Sequence, residues 1–211
     1  GTLDTFTLDI TWGDPLSPGD EQTIELGTVP IDSGGVTWDP LSRAFTVEHQ
    51  YLDDNPSGTA SDEYEVTIGV RDDDMDPDWW VESFFDVTVE NVPPELADLT
   101  VTSPIDENEV TTLSGSVVDP GTLDTFTLDI TWGDPLSPGD EQTIELGTEP
   151  ISTGGVTWDP ATLAFTVEHQ YLDDNPSVTA SDEYEVTIAI RDDDMDPDWW
   201  IESFFDVVVE N

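Results

Sequence analysis

The run GTLDTFTLDITWGDPLSPGDEQTIELGT occupies residues 1–28 and returns unchanged at residues 121–148. Within it, Phe6, Leu8, Ile10 and Trp12 alternate with Thr7, Asp9 and Thr11. A period of two puts all four apolar side chains on one face of a strand, which is the pattern of a half-buried sheet and not of a helix. The same alternation recurs outward from this run. Tyr64, Val66, Ile68 and Val70 face inward against Glu65 and Thr67, and Val81, Phe85, Val87 and Val89 repeat the pattern at the end of the unit. Phe45 and Val47 mark a shorter strand, and residues 23–26 and 36–38 two intermediate ones. Turns rich in Gly, Pro, Asp and Ser separate them at residues 13–21, 32–35 and 53–62.

Residues 1–91 align with residues 121–211 without a gap and differ at 11 positions, among them Val29/Glu149, Arg43/Leu163 and Gly58/Val178. A period of 120 residues is too long for a solenoid and suits a whole domain with its own core. The second copy has a 29-residue lead, residues 92–120, in which Leu99 and Val101, then Leu113 and Val117, supply two further strands. The expected division is therefore a β-sandwich repeat over 1–91, incomplete by its first two strands, and a complete one over 92–211. On this reading Gly1 is not a domain start. The missing strands are expected from an upstream repeat, from a neighbouring chain by strand donation, or from an exchange of Val92–Val118 between the two bodies. About eight short strands in about 120 residues predict an all-β fold of tandem immunoglobulin-like sandwiches. The element Val92-Pro93-Pro94 reads as a short stiff linker that holds neighbouring domains nearly end to end.

Fifty acids face three arginines (Arg43, Arg71, Arg191), with no lysine, giving a formal net charge of −47. That balance excludes nucleic acid and anionic membranes as partners, since both require basic side chains. Eight Trp and eight Phe among 36% hydrophobic residues supply real cores, so the chain is not a disordered acidic tail. The self-repulsion of such a charge calls for bound divalent cations or a very salty environment. Cysteine is absent, which removes disulfides, and the lack of lysine removes Lys–Asn isopeptide bonds, leaving metal ions among the familiar staples of exposed β-domains. No apolar run approaches the ~20 residues of a membrane span.

The ordered set Asn91-Val92-Pro93-Pro94, Ile130-Thr131-Trp132-Gly133-Asp134, His169-Gln170-Tyr171 and Tyr184-Glu185-Val186-Thr187-Ile188 leading into Asp192-Asp193-Asp194 resembles the PKD (polycystic kidney disease) repeat. Glu107-Asn108-Glu109 and Asp119-Pro120-Gly121 resemble bacterial cadherin-like, calcium-dependent repeats. The resemblance implies an immunoglobulin-like sandwich found in tandem in bacterial and archaeal surface proteins. The chain departs from the PKD pattern in its long insertion at 172–182 and its extra aspartates.

Calcium takes six to eight oxygen ligands in flexible geometry. The densest supply is the loop 192–198, where Asp192, Asp194, Asp196 and Asp198 alternate. It is not an EF-hand, because Pro197 stands where the required Gly would be. The loop 119–124 is expected at the same end of the sandwich, so Asp119, Asp124, Asp192, Asp194 and Asp196 are candidate ligands, with Glu107 from the lead nearby. The corresponding candidates in the first copy are Asp4, Asp72, Asp74 and Asp76. Asp53, Asp54, Asn55 and Asn91 of the preceding body are expected at its opposite end, which faces the next domain across the linker, where a site bridging the two would form. Asp14, Asp20 and Asp134 read instead as turn formers on a solvated surface.

His49 and His169 occupy one repeat position and read as strand-end residues packed beside Tyr51 and Tyr171. One Trp of each pair, Trp79-Trp80 and Trp199-Trp200, is expected to face the core and the other to be exposed. No phosphate-binding glycine loop, nucleophile motif or zinc spacing is present, and the reading is non-enzymatic. The expected function is an extracellular, cell-surface structural repeat: a calcium-stiffened stalk, adhesin extender or filament whose partners are neighbouring repeats. The alternative is a carbohydrate- or cell-binding module that presents its exposed aromatics to a glycan.

Overall fold

The alternating segments form strands throughout, and no helix occurs among the described residues. A computed structural model describes residues 4–54, 57–76, 78–174, 177 and 179–211. Its residues divide into two units, 1–56 with 61–90 and 57–60 with 91–211. The chain is all-β, two immunoglobulin-like sandwiches in tandem.

Unit 1 contains β1 (Phe6–Thr11), β2 (Glu21–Leu26), β3 (Ile31–Ser33), β4 (Val36–Asp39), β5 (Ala44–Val47), β6 (Ser61–Asp72) and β7 (Val81–Glu90). One sheet runs β2-β1-β6-β7 and the facing sheet β3-β4-β5, all antiparallel. Unit 2 begins with the lead, which forms β8 (Glu95–Val101), β9 (Ile105–Asp106) and β10 (Val110–Val118). It continues with β11 (Phe126–Thr131), β12 (Glu141–Leu146), β13 (Ile151–Thr153), β14 (Val156–Asp159), β15 (Ala164–Gln170), β16 (Ser181–Asp192) and β17 (Ile201–Glu210). Its sheets are β12-β11-β16-β17-β9 and β13-β14-β15-β10-β8. Two-residue β9, which the sequence pattern did not announce, pairs parallel with the end of β17, Ile105 opposite Val209. The lead thus crosses from one sheet to the other. Val92–Val118 lies wholly within unit 2.

The register of the shared strands is the same in both units: Phe6 opposes Leu26 and Asp72, as Phe126 opposes Leu146 and Asp192. This register turns the predicted faces inward. In unit 2 the core unites Phe126, Leu128 and Ile130 of β11, and Trp132 just beyond it, with Tyr184, Val186, Ile188 and Ile190 of β16, all buried. Ile105, Leu113 and Val117 join it from the lead. Gly115 of β10 lets the Phe165 ring approach: a Cβ there would stand 2.7 Å from Leu99 Cδ2 and 3.0 Å from Phe165 Cζ. In unit 1 the fully buried cluster shrinks to Leu8, Ile10, Leu26, Trp38 and Val66. Each unit anchors its central Trp with the same bond, Trp38 Nε1 to Gly27 O and Trp158 Nε1 to Gly147 O, both 2.7 Å.

Candidate functional site

The loops that carry the acids are shaped by hydrogen bonds they make to their own backbone. The Gly121 amide donates to Asp119 Oδ1 at 2.7 Å, which closes an Asx turn between β10 and β11. A side chain at Gly121 would overlap the Asp124 carboxylate, so glycine makes room for it. Between β16 and β17, Asp192 Oδ1 accepts the amides of Asp194 (3.1 Å) and Met195 (2.7 Å), and Asn91 Nδ2 donates to both Asp192 oxygens at 3.0 Å. Thr125 N donates to Asp193 Oδ1 at 2.7 Å and ties the two loops together.

The outcome is a group of three carboxylates, Asp119, Asp124 and Asp192, each placing an oxygen within 4.8 Å of the others. Asp192 is fully buried and the other two are half-buried. Two full negative charges at such a separation repel by on the order of 3 kcal/mol at an effective dielectric of about 20. A divalent cation would convert that repulsion into attraction and supply what three oxygens from two loops are suited to hold. Arg191, at the end of β16, donates from Nη1 to Pro197 O at 2.8 Å and stacks on Trp200, 4.6 Å from the ring centre.

The other expected ligands are placed differently. Asp194, two residues beyond Asp192, is buried. Asp196 is exposed and caps the following turn, accepting the Asp198 amide at 3.0 Å. Glu107 is not beside Asp119 and Asp192. The parallel pairing of β9 carries it to the far end of unit 2, where its amide donates to Glu210 O at 2.8 Å. There it forms a separate group with Asp173 and Asp174, again within 4.8 Å. Asp174 is only 5% exposed, and its buried Oδ2 has no hydrogen-bond partner among the described residues. Those two aspartates escaped the sequence reading. The signal that finds them is their equivalence to Asp53 and Asp54, both of which are buried in unit 1. Asn91, expected where the first body faces the next domain, donates to the Asp192 carboxylate. Asn55 lies outside the described residues. Asp4, Asp72, Asp74 and Asp76 form no such group among the described residues; Asp4 lies 3.9 Å from Arg43, while Asp74 and Asp76 are exposed.

Asp14 and Asp134 depart from the reading as solvated turn formers. Both do cap turns, accepting at their carbonyls from Ser17 and Ser137, but both are buried. They face the repeat's histidine: Asp14 Oδ2 lies 3.1 Å from His49 Nε2 and Asp134 Oδ2 lies 3.6 Å from His169 Nε2. Each ring is stacked on a Trp at 5.0 Å and met edge-on by a Tyr at 4.7 Å (Trp12 and Tyr51, Trp132 and Tyr171). Tyr51 and Tyr171 in turn donate to the carbonyls of Trp12 and Trp132. This is a closed packing device, in keeping with the expectation that each His sits beside a Tyr. Burial pushes the His169 pKa below its usual value, against the pull of Asp134 and then Asp140.

The tryptophan pairs also correct an expectation, since neither member faces the core. Trp79 and Trp199 are 73% and 63% exposed. Trp80 lies over the outer face of its sheet, above Gly69 and stacked by Arg71 at 4.6 Å. The reason is local: Gly69 and Arg71 occupy the outward positions of β6, opposite Ile68 and Val70, and an arginine–indole stack holds the ring there.

No family model matches the chain, and no curated protein matches it. Among solved structures it is similar to the FN1–FN3 domains of chicken CNTN1 (10% identity, TM-score 0.35, covering 100% of this chain and 57% of that one). It is also similar to a marsupial T cell receptor (11%, 0.32, 98% and 63%). Domains 4 and 5 of the S-layer protein SbsC are a third (13%, 0.27, 96% and 96%). The chain spans less than two thirds of the length of the first two.

Proposed function

We propose that the chain is a non-catalytic, PKD-like structural repeat of a cell-surface protein, and that calcium bound at Asp119, Asp124 and Asp192 stiffens it. The observation that carries this reading is the convergence of those three carboxylates from two separate loops of one sandwich. Calcium there would pin the β10–β11 loop to the β16–β17 loop and so rigidify the end of the repeat. Glu107, Asp173 and Asp174 offer a second position at the other end of the same sandwich. The exposed Trp79 and Trp199 support the alternative, a glycan contact.

The test is thermal unfolding in calcium, in magnesium, in excess EDTA and in high sodium chloride. A cation at a hundredfold over its Kd, bound only to the folded state, contributes about 2.7 kcal/mol. Unit 2 should therefore melt several degrees higher in calcium than in EDTA, and Asp192→Asn should abolish the difference. An unchanged melt in EDTA at moderate salt sinks the calcium reading. Equal protection by sodium chloride points to general screening of the charge instead.

A further inference from the structure

At the Glu210 end of unit 2, the segment that follows β9 is held from both sheets. The Glu107 amide donates to Glu210 O at 2.8 Å. The Asn108 amide donates to Tyr171 O at 2.7 Å, and Tyr171 N returns to Glu109 O at 3.2 Å. Glu210 ends β17 in one sheet, and Tyr171 follows β15 of the other. Just beyond Tyr171 come Asp173 and Asp174, whose carboxylates meet that of Glu107 within 4.8 Å. The Asp173 backbone is set in place by the Tyr184 hydroxyl, which donates to its carbonyl at 3.2 Å. Three acids alone would say little on so acidic a surface. Asp174 is the separate observation: it is more than nine-tenths buried, and its Oδ2 has no hydrogen-bond partner among the described residues. A buried carboxylate oxygen without a partner is costly unless a cation meets it. The basic side chains of unit 2 are engaged elsewhere. Its lone arginine, Arg191, is held at the other end of β16 by Pro197 O and Trp200, and His169 faces Asp134.

We infer that Glu107, Asp173 and Asp174 form a divalent-cation site of their own, selective for calcium, that staples the two sheets of unit 2 together at this end. The site deepens the second position offered to calcium above, and it stands whether or not Asp119, Asp124 and Asp192 bind. Its ligands are carboxylate oxygens, which suit a hard cation. Glu107 and Asp173 are exposed, so water can complete the shell. Calcium accepts such an irregular set of six to eight oxygens, whereas magnesium demands a near-ideal octahedron. The ion joins the residue after β9, in the sheet of β17, to the segment after β15, in the facing sheet. A disulfide makes that inter-sheet link in antibody domains, and this chain has no cysteine to make one. Parting β9 from β17 then requires the ion to leave.

Hydrogen exchange at the Glu107 and Asn108 amides reads the staple. It is measured in the full chain carrying Asp192→Asn, which disables the other site. Once calcium exceeds its Kd, each further tenfold rise should slow both amides by about tenfold, because an opening that parts the ligands must first release the ion. Asp174→Asn in the same background should remove that slowing. Glu107→Gln, at an exposed position, spares the core and should weaken the slowing at Asn108 by about tenfold or more. Magnesium at the same concentrations should slow the amides less. Exchange that calcium leaves unchanged overturns the inference, and so does slowing that either variant keeps in full. Equal slowing by sodium chloride at matched ionic strength overturns it as well, since screening would then suffice, and equal slowing by magnesium overturns the selectivity. A melt of the natural chain that depends on calcium until Asp192→Asn is introduced, with no slowing at Glu107 and Asn108, would refute this site and leave the Asp119 site standing.

Discussion

Phe45 and Phe165 stand at the same place in the repeat, in strands of the same sequence, and only Phe165 is buried. The difference extends through β5 and β7 against β15 and β17 and fades toward β1, whose Leu8 and Ile10 are as buried as Leu128 and Ile130. Burial is therefore not written into a strand by its own alternation. Alternation decides which side chains share a face, and the completeness of the sandwich decides which of those faces is dry.

The largest way to erase the contrast is to remove the lead's grip on unit 2. Leu113→Asp puts a charge where the side chain is wholly inaccessible, and unit 2 should lose about 4 kcal/mol or more. Residue-resolved hydrogen exchange in urea should show this loss in unit 2 with unit 1 unmoved. Next, Phe165→Ala should cost about 3–5 kcal/mol, and Phe45→Ala less than half as much. Equal losses from the two would mean that the exposed face of unit 1 is covered in solution.

A smaller effect is acidic. His169 takes its proton less readily when folded than when unfolded. Its contribution is thus complete above the unfolded value of about 6.5 and is lost as pH falls below it. The stability of unit 2 should fall more steeply between about pH 7.5 and 5.5 in the natural chain than in His169→Gln. Matching slopes would show that the stacked ring is not what titrates. The smallest concerns Gly69, where unit 2 has Ala189 in the same β-register. Gly69→Ala brings a Cβ to 3.1 Å from Trp80 Cε3. If the indole shifts slightly, unit 1 should gain up to about 0.5–1 kcal/mol in denaturant unfolding, because glycine weakens a strand interior. A loss would show that Trp80 is fixed.

The strands and their inward faces were legible because period-two alternation depends only on neighbours in sequence. The convergence of Asp119, Asp124 and Asp192 was legible from the same source, since adjacent loop positions follow from strand order. Glu107 was not, because two residues of parallel pairing reverse which end of the sandwich it reaches, and so short a run carries no pattern of its own. Asp14 and Asp134 were misread because a turn-forming aspartate looks the same in sequence whether it faces water or a histidine 35 residues later. The tryptophan pairs were misread by simple alternation, because the place of Trp80 over the outer face is set by contacts with Gly69 and Arg71 on the neighbouring strand.

The identical pairing register of β1 and β11 with their neighbours has a genetic counterpart. Any exchange between equivalent codons of the two copies, wherever in their 91 shared positions it falls, joins the front of one repeat to the back of the other with the shared strand register kept. Recombination can therefore lengthen or shorten such an array by whole units without breaking a sheet. Near-identity between copies is then a property that keeps the gene length adjustable as well as a trace of duplication.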